Sequence, residues 1–218
     1  TDNLVAGTQE YSFPSDFRKI DFDSFMLLPK NLITNGTFDA TISDWTVVSG
    51  SPIRVETTNS GASVAGALRL TSAEVTQTVQ TIINKEYIVR TRTFSNDVTL
   101  KVGTASGGTQ NLSTTLSVTN TGDGEWQTNS FTATATTTYI GFAESGGNNA
   151  EIDTVEVVEN ESPRKLRYIS HDEWFDSYSE IDLNQTSKNQ FSMPTYVYET
   201  SDEKYGISPI PDRILSVT

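Results

Sequence analysis

With 218 residues, no cysteine and a formal net charge of −13, the chain can hold one large β domain or two small ones. The missing thiols exclude disulfide scaffolds and cysteine-based metal sites, and the acidity argues against direct binding to a phosphate backbone. No apolar run reaches the ~18 residues a membrane-spanning helix needs, so no membrane role is expected.

In chain order, the composition falls into three zones. Residues 1–30 carry aromatics and charges, as in "EYSFPSDFRKIDFDSFMLLPK". Residues 31–160 are rich in Thr, Ser, Gly and Asn, and no long helical pattern runs through them. Residues 161–218 return to aromatics, charges and proline. The outer zones resemble each other more than either resembles the middle, which is the pattern of a domain inserted into a loop of another. The chain opens without Met or a signal peptide, and its end, "DRILSVT", reads as a strand. An excerpt of a longer polypeptide is therefore expected.

The middle zone reads as short strands divided by turn signals. "ALRLTS", "QTVQTI", "EYIVRTRTFS", "TLKVGT", "LSTTLSVT", "QTNSFTATA", "TTYIGFAES" and "EIDTVEVVE" follow in order. About nine strands at this spacing predict a sandwich, expected to be a jelly roll. In "EYIVRTRTFS", alternation puts Tyr87, Val89, Thr91 and Thr93 on one face, and Ile88, Arg90, Arg92 and Phe94 on the other. In the third zone "SHDEWFDSY" is a short helix, with Ser170 as its cap and Glu173 completing a capping box. "PTYVYE" and "KYGISPIP" read as two strands around a turn. The fold class is thus mainly β: a small β domain with a short helix (residues 1–30 and 161–218), interrupted by an inserted jelly-roll sandwich (residues 31–160).

"NLITNGTFDATISDW" resembles the opening of the β-sandwich carbohydrate-binding modules carried by glycoside hydrolases, through Asn35, Gly36, Phe38, Asp39 and Trp45. "GEWQTNSFTATATTTYIGF" and "EIDTVEVVE" resemble their last hairpin and closing strand. The signature is more specific for fold than for sugar. Phe38, Trp45 and Trp126 sit at strand starts and are expected to pack in the core rather than stack on a sugar. Tyr87, Phe94 and Tyr139 are the alternative platforms, and no glycan-binding residue is assigned. The resemblance also implies a structural Ca²⁺ held by Asp39 and Asp153, against the plainer reading of two carboxylates capping turns. No other cofactor is expected.

The outer zones, read across the gap, resemble the head-to-tail adaptor (tail tubular ring) proteins of short-tailed bacteriophages. The matches are Tyr11, Phe13, Pro14, Asp16 and Phe17; Arg167, Glu173 and Trp174; Pro194, Tyr196 and Tyr198; and Pro209, Pro211 and Asp212. That resemblance implies a structural protein of the virion neck, assembled as a ring with copies of itself and placed between portal protein and tail or nozzle protein. The jelly roll would project outward to capsid protein, neighbouring subunits or host surface glycans. The alternative is a stand-alone glycan-binding module or adhesin. No enzyme is expected: the single His171 lies in a helix first turn, and the acidic pairs Asp21/Asp23 and Glu151/Asp153 are ordinary in so acidic a chain. The basic stretch "SPRKLRY" reads as a solvated strand edge.

Overall fold

Strand pairing groups residues 31–160 into one unit and residues 1–30 with 161–218 into another. The computed structural model describes residues 2–5, 8–12, 25–56, 66–119, 124–162, 164–177, 194–200, 204–211 and 215–217. Three strands precede the middle unit: β1 (Asp2–Leu4), β2 (Glu10–Ser12) and β3 (Met26–Pro29). The middle unit contains β4 (Thr46–Ser49), β5 (Ile53–Val55), β6 (Ala67–Leu70), β7 (Ala73–Gln80), β8 (Glu86–Ser95), β9 (Val98–Gly103), β10 (Leu112–Leu116), β11 (Glu125–Thr132), β12 (Thr137–Glu144) and β13 (Ala150–Glu159). After it come β14 (Arg164–Lys165), β15 (Arg167–Tyr168), helix α1 (His171–Ser177), β16 (Tyr196–Glu199), β17 (Lys204–Ser208) and β18 (Leu215–Val217).

The middle unit is a jelly-roll sandwich of two antiparallel five-stranded sheets, ordered β10-β9-β12-β7-β4 and β11-β8-β13-β6-β5. Alternation builds it. In β8, Tyr87, Val89, Thr91 and Thr93 turn inward and are buried; in β12, Ile140 and Phe142 do the same. An aromatic group closes one part of the core. The Trp45 ring lies 5.7 Å from Phe38 and 5.9 Å from Phe142, while Tyr87 stacks on Phe131 at 5.5 Å. Each such pair adds about 0.5–1.5 kcal/mol beyond the area it buries.

Two details differ from the sequence reading. There are ten described strands rather than about nine, because β4 and β5 are short edge strands; all four residues of β4 are exposed, so it carries no alternation to read. Phe94 is fully buried although it falls on the polar face of β8. The cause is a slip in pairing: Thr93 faces Ile152 and Ser95 faces Glu151, which leaves Phe94 at an irregularity. Gly124, at φ +74°, covers it so closely that a Cβ there would lie 2.5 Å from the Phe94 ring.

The ends of the sandwich leave it side by side. Leu32 N donates to Val157 O (2.8 Å), and Asn31 Oδ1 accepts from Val157 N (2.9 Å). Asn160 N donates to Glu86 O (2.8 Å) on the next strand.

The other unit has two four-stranded sheets, β1-β18-β3-β14 and β15-β16-β17-β2. β3 and β14, which flank the middle unit in sequence, pair antiparallel with Leu27 opposite Arg164. Leu4, Leu27, Leu166, Val197, Tyr205 and Ile207 form its core. Tyr205 stacks on Tyr11 at 5.5 Å and meets Phe25 edge-on at 5.3 Å. Ser170 Oγ accepts from Glu173 N (3.1 Å), which caps α1. Trp174 stacks on Tyr198 at 4.4 Å.

Candidate functional site

The outer face of the β10-β9-β12-β7-β4 sheet is shaped by small and polar residues. Because Ile140 and Phe142 enter the core, Tyr139, Gly141 and Ala143 face outward on β12. By the same rule Thr99 and Lys101 face outward on β9, and Glu74 and Thr76 on β7. The floor is therefore low, and side chains on either side rise above it. Two adjoining clefts result. One, of about 490 Å³, is lined by Asn96, Asp97, Thr99, Thr115, Glu144 and Asn148 among others. The second, of about 360 Å³, adds Ser49, Ser72, Glu74 and Lys101, and shares Thr99, Ala143, Glu144 and Ser145 with the first.

The charged groups here are held in fixed positions. Lys101 Nζ donates to Glu74 Oε2 (2.8 Å), while Glu74 Oε1 is buried with no hydrogen-bond partner among the described residues. Glu144 accepts from the amides of Ser72 (2.8 Å), Gly146 (2.5 Å) and Gly147 (3.1 Å). The Ser72 amide above all, with those of Gly146, Asn148 and Gly147, holds the Glu144 carboxyl below its ordinary range despite its burial. Asp97 accepts from Val118 N (3.0 Å) and Ser117 Oγ (3.4 Å). Amides, hydroxyls and carboxylates at fixed spacing suit recognition of a polyhydroxylated ligand. The half-buried Tyr139 ring stands further along the same strand, between Gly103 and Thr78. None of the cleft residues was singled out from sequence, although alternation in β9 and β12 places Thr99, Lys101 and Ala143 on one face.

Asp153 faces away from the core of the second sheet, between Arg92 of β8 and β6, yet its exposure is 0%. Its Oδ2 accepts from Thr154 Oγ1 (2.9 Å), and its Oδ1 is buried without a partner. Burial pushes its pKa up from 3.8 to about 6; the neighbouring Asp39 charge adds to the rise, and the Thr154 bonds and Arg92 oppose it. Asp39 is exposed and accepts from Thr37 Oγ1 (2.9 Å). Asn35, Phe38 and Thr154 all adopt positive φ around this spot, at 48°, 50° and 52°. The orphaned oxygen and the adjacent carboxylate fit a hard cation such as Ca²⁺, which Asp153 and Asp39 would hold. The carbonyls of Phe38 and Asp39 are already taken by Arg54, at 2.9 and 2.7 Å. No group of three or more acidic or histidine side chains gathers among the described residues, so further oxygens would come from backbone or water.

Phe38 and Trp45 are buried at 0% and 4% exposure. Trp126, expected in the core beside them, is 47% exposed, which corrects that expectation. On β11, Gln127, Asn129 and Phe131 turn toward the core, so Trp126, at the opposite parity, lies on the outer face. Of the other platforms, Tyr87 and Phe94 are buried. Glu151 is engaged by Arg69, whose Nε lies 2.8 Å away; Asp21 and Asp23 lie outside the described residues. His171 is exposed, with its ring 5.6 Å from Trp174. In "SPRKLRY", Arg164, Lys165 and Arg167 are exposed on the edge strands β14 and β15. Of the adaptor-like positions, Tyr11, Arg167, Trp174, Tyr196 and Tyr198 come together around the β15-β16-β17-β2 sheet, whereas Phe13, Pro14, Asp16, Phe17 and Asp212 lie outside the described residues.

No family model and no curated protein matches the chain. Among solved structures it is similar to the enzymatically active domain of tailspike protein 4 of bacteriophage CBA120, with 15% identity and a TM-score of 0.46 over 59% of this chain and 21% of that one. It is also similar to TmCBM61, solved with β-1,4-galactotriose, with 17% identity and a TM-score of 0.43 over 60% of this chain and 99% of that one. A third is the CBM22-1 xylan-binding domain of Paenibacillus barcinonensis Xyn10C, with 12% identity and a TM-score of 0.39 over 62% of this chain and 97% of that one.

Proposed function

We propose that residues 31–160 form a glycan-binding module that works without catalysis. The observation that carries this is the double cleft on the outer face of β4, β7, β9, β10 and β12, with Ala143 low in both clefts and rims of amides, hydroxyls and acids. Sugar hydroxyls pair with such groups, and Tyr139 offers a ring to the same face. Binding rather than turnover is supported by the state of the acids. Glu144 and Asp97 are tied to backbone amides and Glu74 to Lys101, so the described acids of the cleft are engaged in holding its shape. The test is a glycan array probed with the whole chain and with Ala143→Arg, which fills the floor from an outward position. Retention of one class of glycan by the wild type and its loss in the variant supports the reading; equal binding by both overturns it. Ca²⁺ at Asp39 and Asp153 would act structurally, by balancing a buried carboxylate, and is checked by thermal unfolding with and without chelator.

A second reading is favoured by a separate observation. Tyr11, from before the insert, and Arg167, Trp174, Tyr196 and Tyr198, from after it, meet around one sheet. This supports a neck-ring role, in which this unit assembles with copies of itself between portal protein and tail or nozzle protein of a virion. The sandwich would then face capsid protein or host glycans. Electron microscopy of purified virions tests it: density for the chain at the neck supports the role, and a neck fully accounted for by other chains refutes it.

A further inference from the structure

The opposite face of the sandwich carries a feature of another kind. Among the described strands β11 is an edge strand paired with β8 alone, and it turns Trp126, Thr128, Ser130 and Thr132 outward, all of them exposed. Trp126 is the only exposed large aromatic among the described residues of this unit. Thr128 faces Arg90 across the pair, and the Arg90 guanidinium lies 5.0 Å from the centre of the Trp126 ring.

Arg90 is also the least engaged of the unit's paired cations. Lys101 sits 2.8 Å from Glu74, Arg69 places its Nε 2.8 Å from Glu151, Lys85 lies 3.2 Å from Glu159, and Arg54 bonds two carbonyls. Among the described residues the one ion-pair partner of Arg90 is Glu156 at 3.7 Å, beyond hydrogen-bond distance, with the two side chains 48% and 38% exposed. Such a pair contributes little in water and yields readily to a better anion.

We propose that Trp126 and Arg90 form a second glycan subsite, selective for a carboxylate-bearing sugar of the uronic-acid class. The indole face that Arg90 does not cover is flat and apolar and suits the C–H groups of a pyranose ring. The guanidinium, which lies over one face of the indole, donates two hydrogen bonds to the sugar's carboxylate, and the hydroxyls of Thr128 and Ser130 line the path of the next residue along the strand. The local charge of Arg90 names the occupant. Residues 31–160 hold thirteen Asp and Glu against six Lys and Arg, so an acidic sugar is held against a repelling surface by this loosely paired cation, which among the described residues lies beside the one exposed indole of the unit. The proposal rests on the reading of this unit as a glycan binder, but uses the face opposite the cleft.

The test titrates the whole chain with an oligogalacturonide and with its neutral methyl ester, followed by calorimetry and by tryptophan fluorescence. The acid form is expected to bind roughly tenfold more tightly than the ester and to shift the emission of the exposed indole. Trp126→Ala should abolish both signals. Arg90→Gln should reduce the acid form to the level of the ester, with thermal unfolding of each variant confirming the fold. Unchanged binding by Trp126→Ala, or equal affinity for acid and ester, overturns the subsite. If the wild type holds neutral glycans but no oligouronide, this subsite falls and the cleft reading stands; if it holds no glycan at all, both fall.

Discussion

The two outer faces of the sandwich are built from the same alternating strands, yet they present opposite surfaces. On one face the central strand β12 offers the small Ala143, so rims formed by β7, β9 and the loop after β12 enclose open volume. On the other face β8 and β13 offer Arg90, Arg92, Glu151, Asp153 and Glu156, and the space is taken up by ion pairs and by two buried carboxylates, Glu151 and Asp153. What separates a cleft from a filled face is side-chain size at the outward positions of the middle strands; the backbone plan is shared.

The largest test breaks both faces together. Phe142→Ala removes the ring that supports Trp45 from beneath the cleft floor, and should cost about 3–5 kcal/mol in chemical denaturation. Retention of both stability and binding in that variant would mean that the core does not set the faces.

Asp153→Asn then probes the filled face alone. Its folded pKa of about 6 stands above the ordinary 3.8, so between these values the folded state holds the extra proton. Stability should therefore fall as the pH rises from about 4 to about 6 and level off above, by up to about 3 kcal/mol in total. The Asn variant should lack this slope and be the more stable form at pH 7 without divalent cation. Calcium should raise the melting temperature of the wild type at pH 7, and not that of the variant.

Glu144→Gln tests the cleft from its loop. The amide oxygen can keep some of the contacts of the carboxylate but not its charge, so a loss of about 1–2 kcal/mol is expected from weakened bonds to the amides of residues 72 and 146–148. Because the carboxyl is held below its ordinary range, that stabilisation is present at neutral pH and disappears on acidification through the folded pKa. The variant should show less loss on acidification than the wild type. The smallest effect belongs to Thr128→Ala, an exposed edge position, which should shift stability by less than about 0.5 kcal/mol in thermal unfolding.

Much of the sandwich can be read from the sequence because β-branched residues alternate cleanly in β7, β8 and β12. Where alternation fails, so does the reading. β4 has four exposed residues and shows no inward set, and Phe94 is buried by a slip in register together with a glycine placed 30 residues away in the chain. Trp126 is instructive in another way. Phe131, five residues on, is buried, and an odd separation on a regular strand puts the two on opposite faces, so the parity was in the text while the aromatic character pointed inward. The cleft is harder to see, since it is made by the absence of bulk at Ala143 and by loops that meet only in space. Asp153 could be picked out as an acid in the closing strand, but its desolvation and its orphaned oxygen depend on packing.

The adjacent ends of the sandwich have a genetic consequence. Leu27 faces Arg164 across β3 and β14. Joining residue 30 directly to residue 161 would connect these partners through six residues, 28–30 and 161–163, close to the length of an ordinary hairpin loop. One in-frame recombination event at that point adds or removes the whole guest while the host strands keep their partners. The chain can thus exchange its inserted unit without redesigning the strands that carry it.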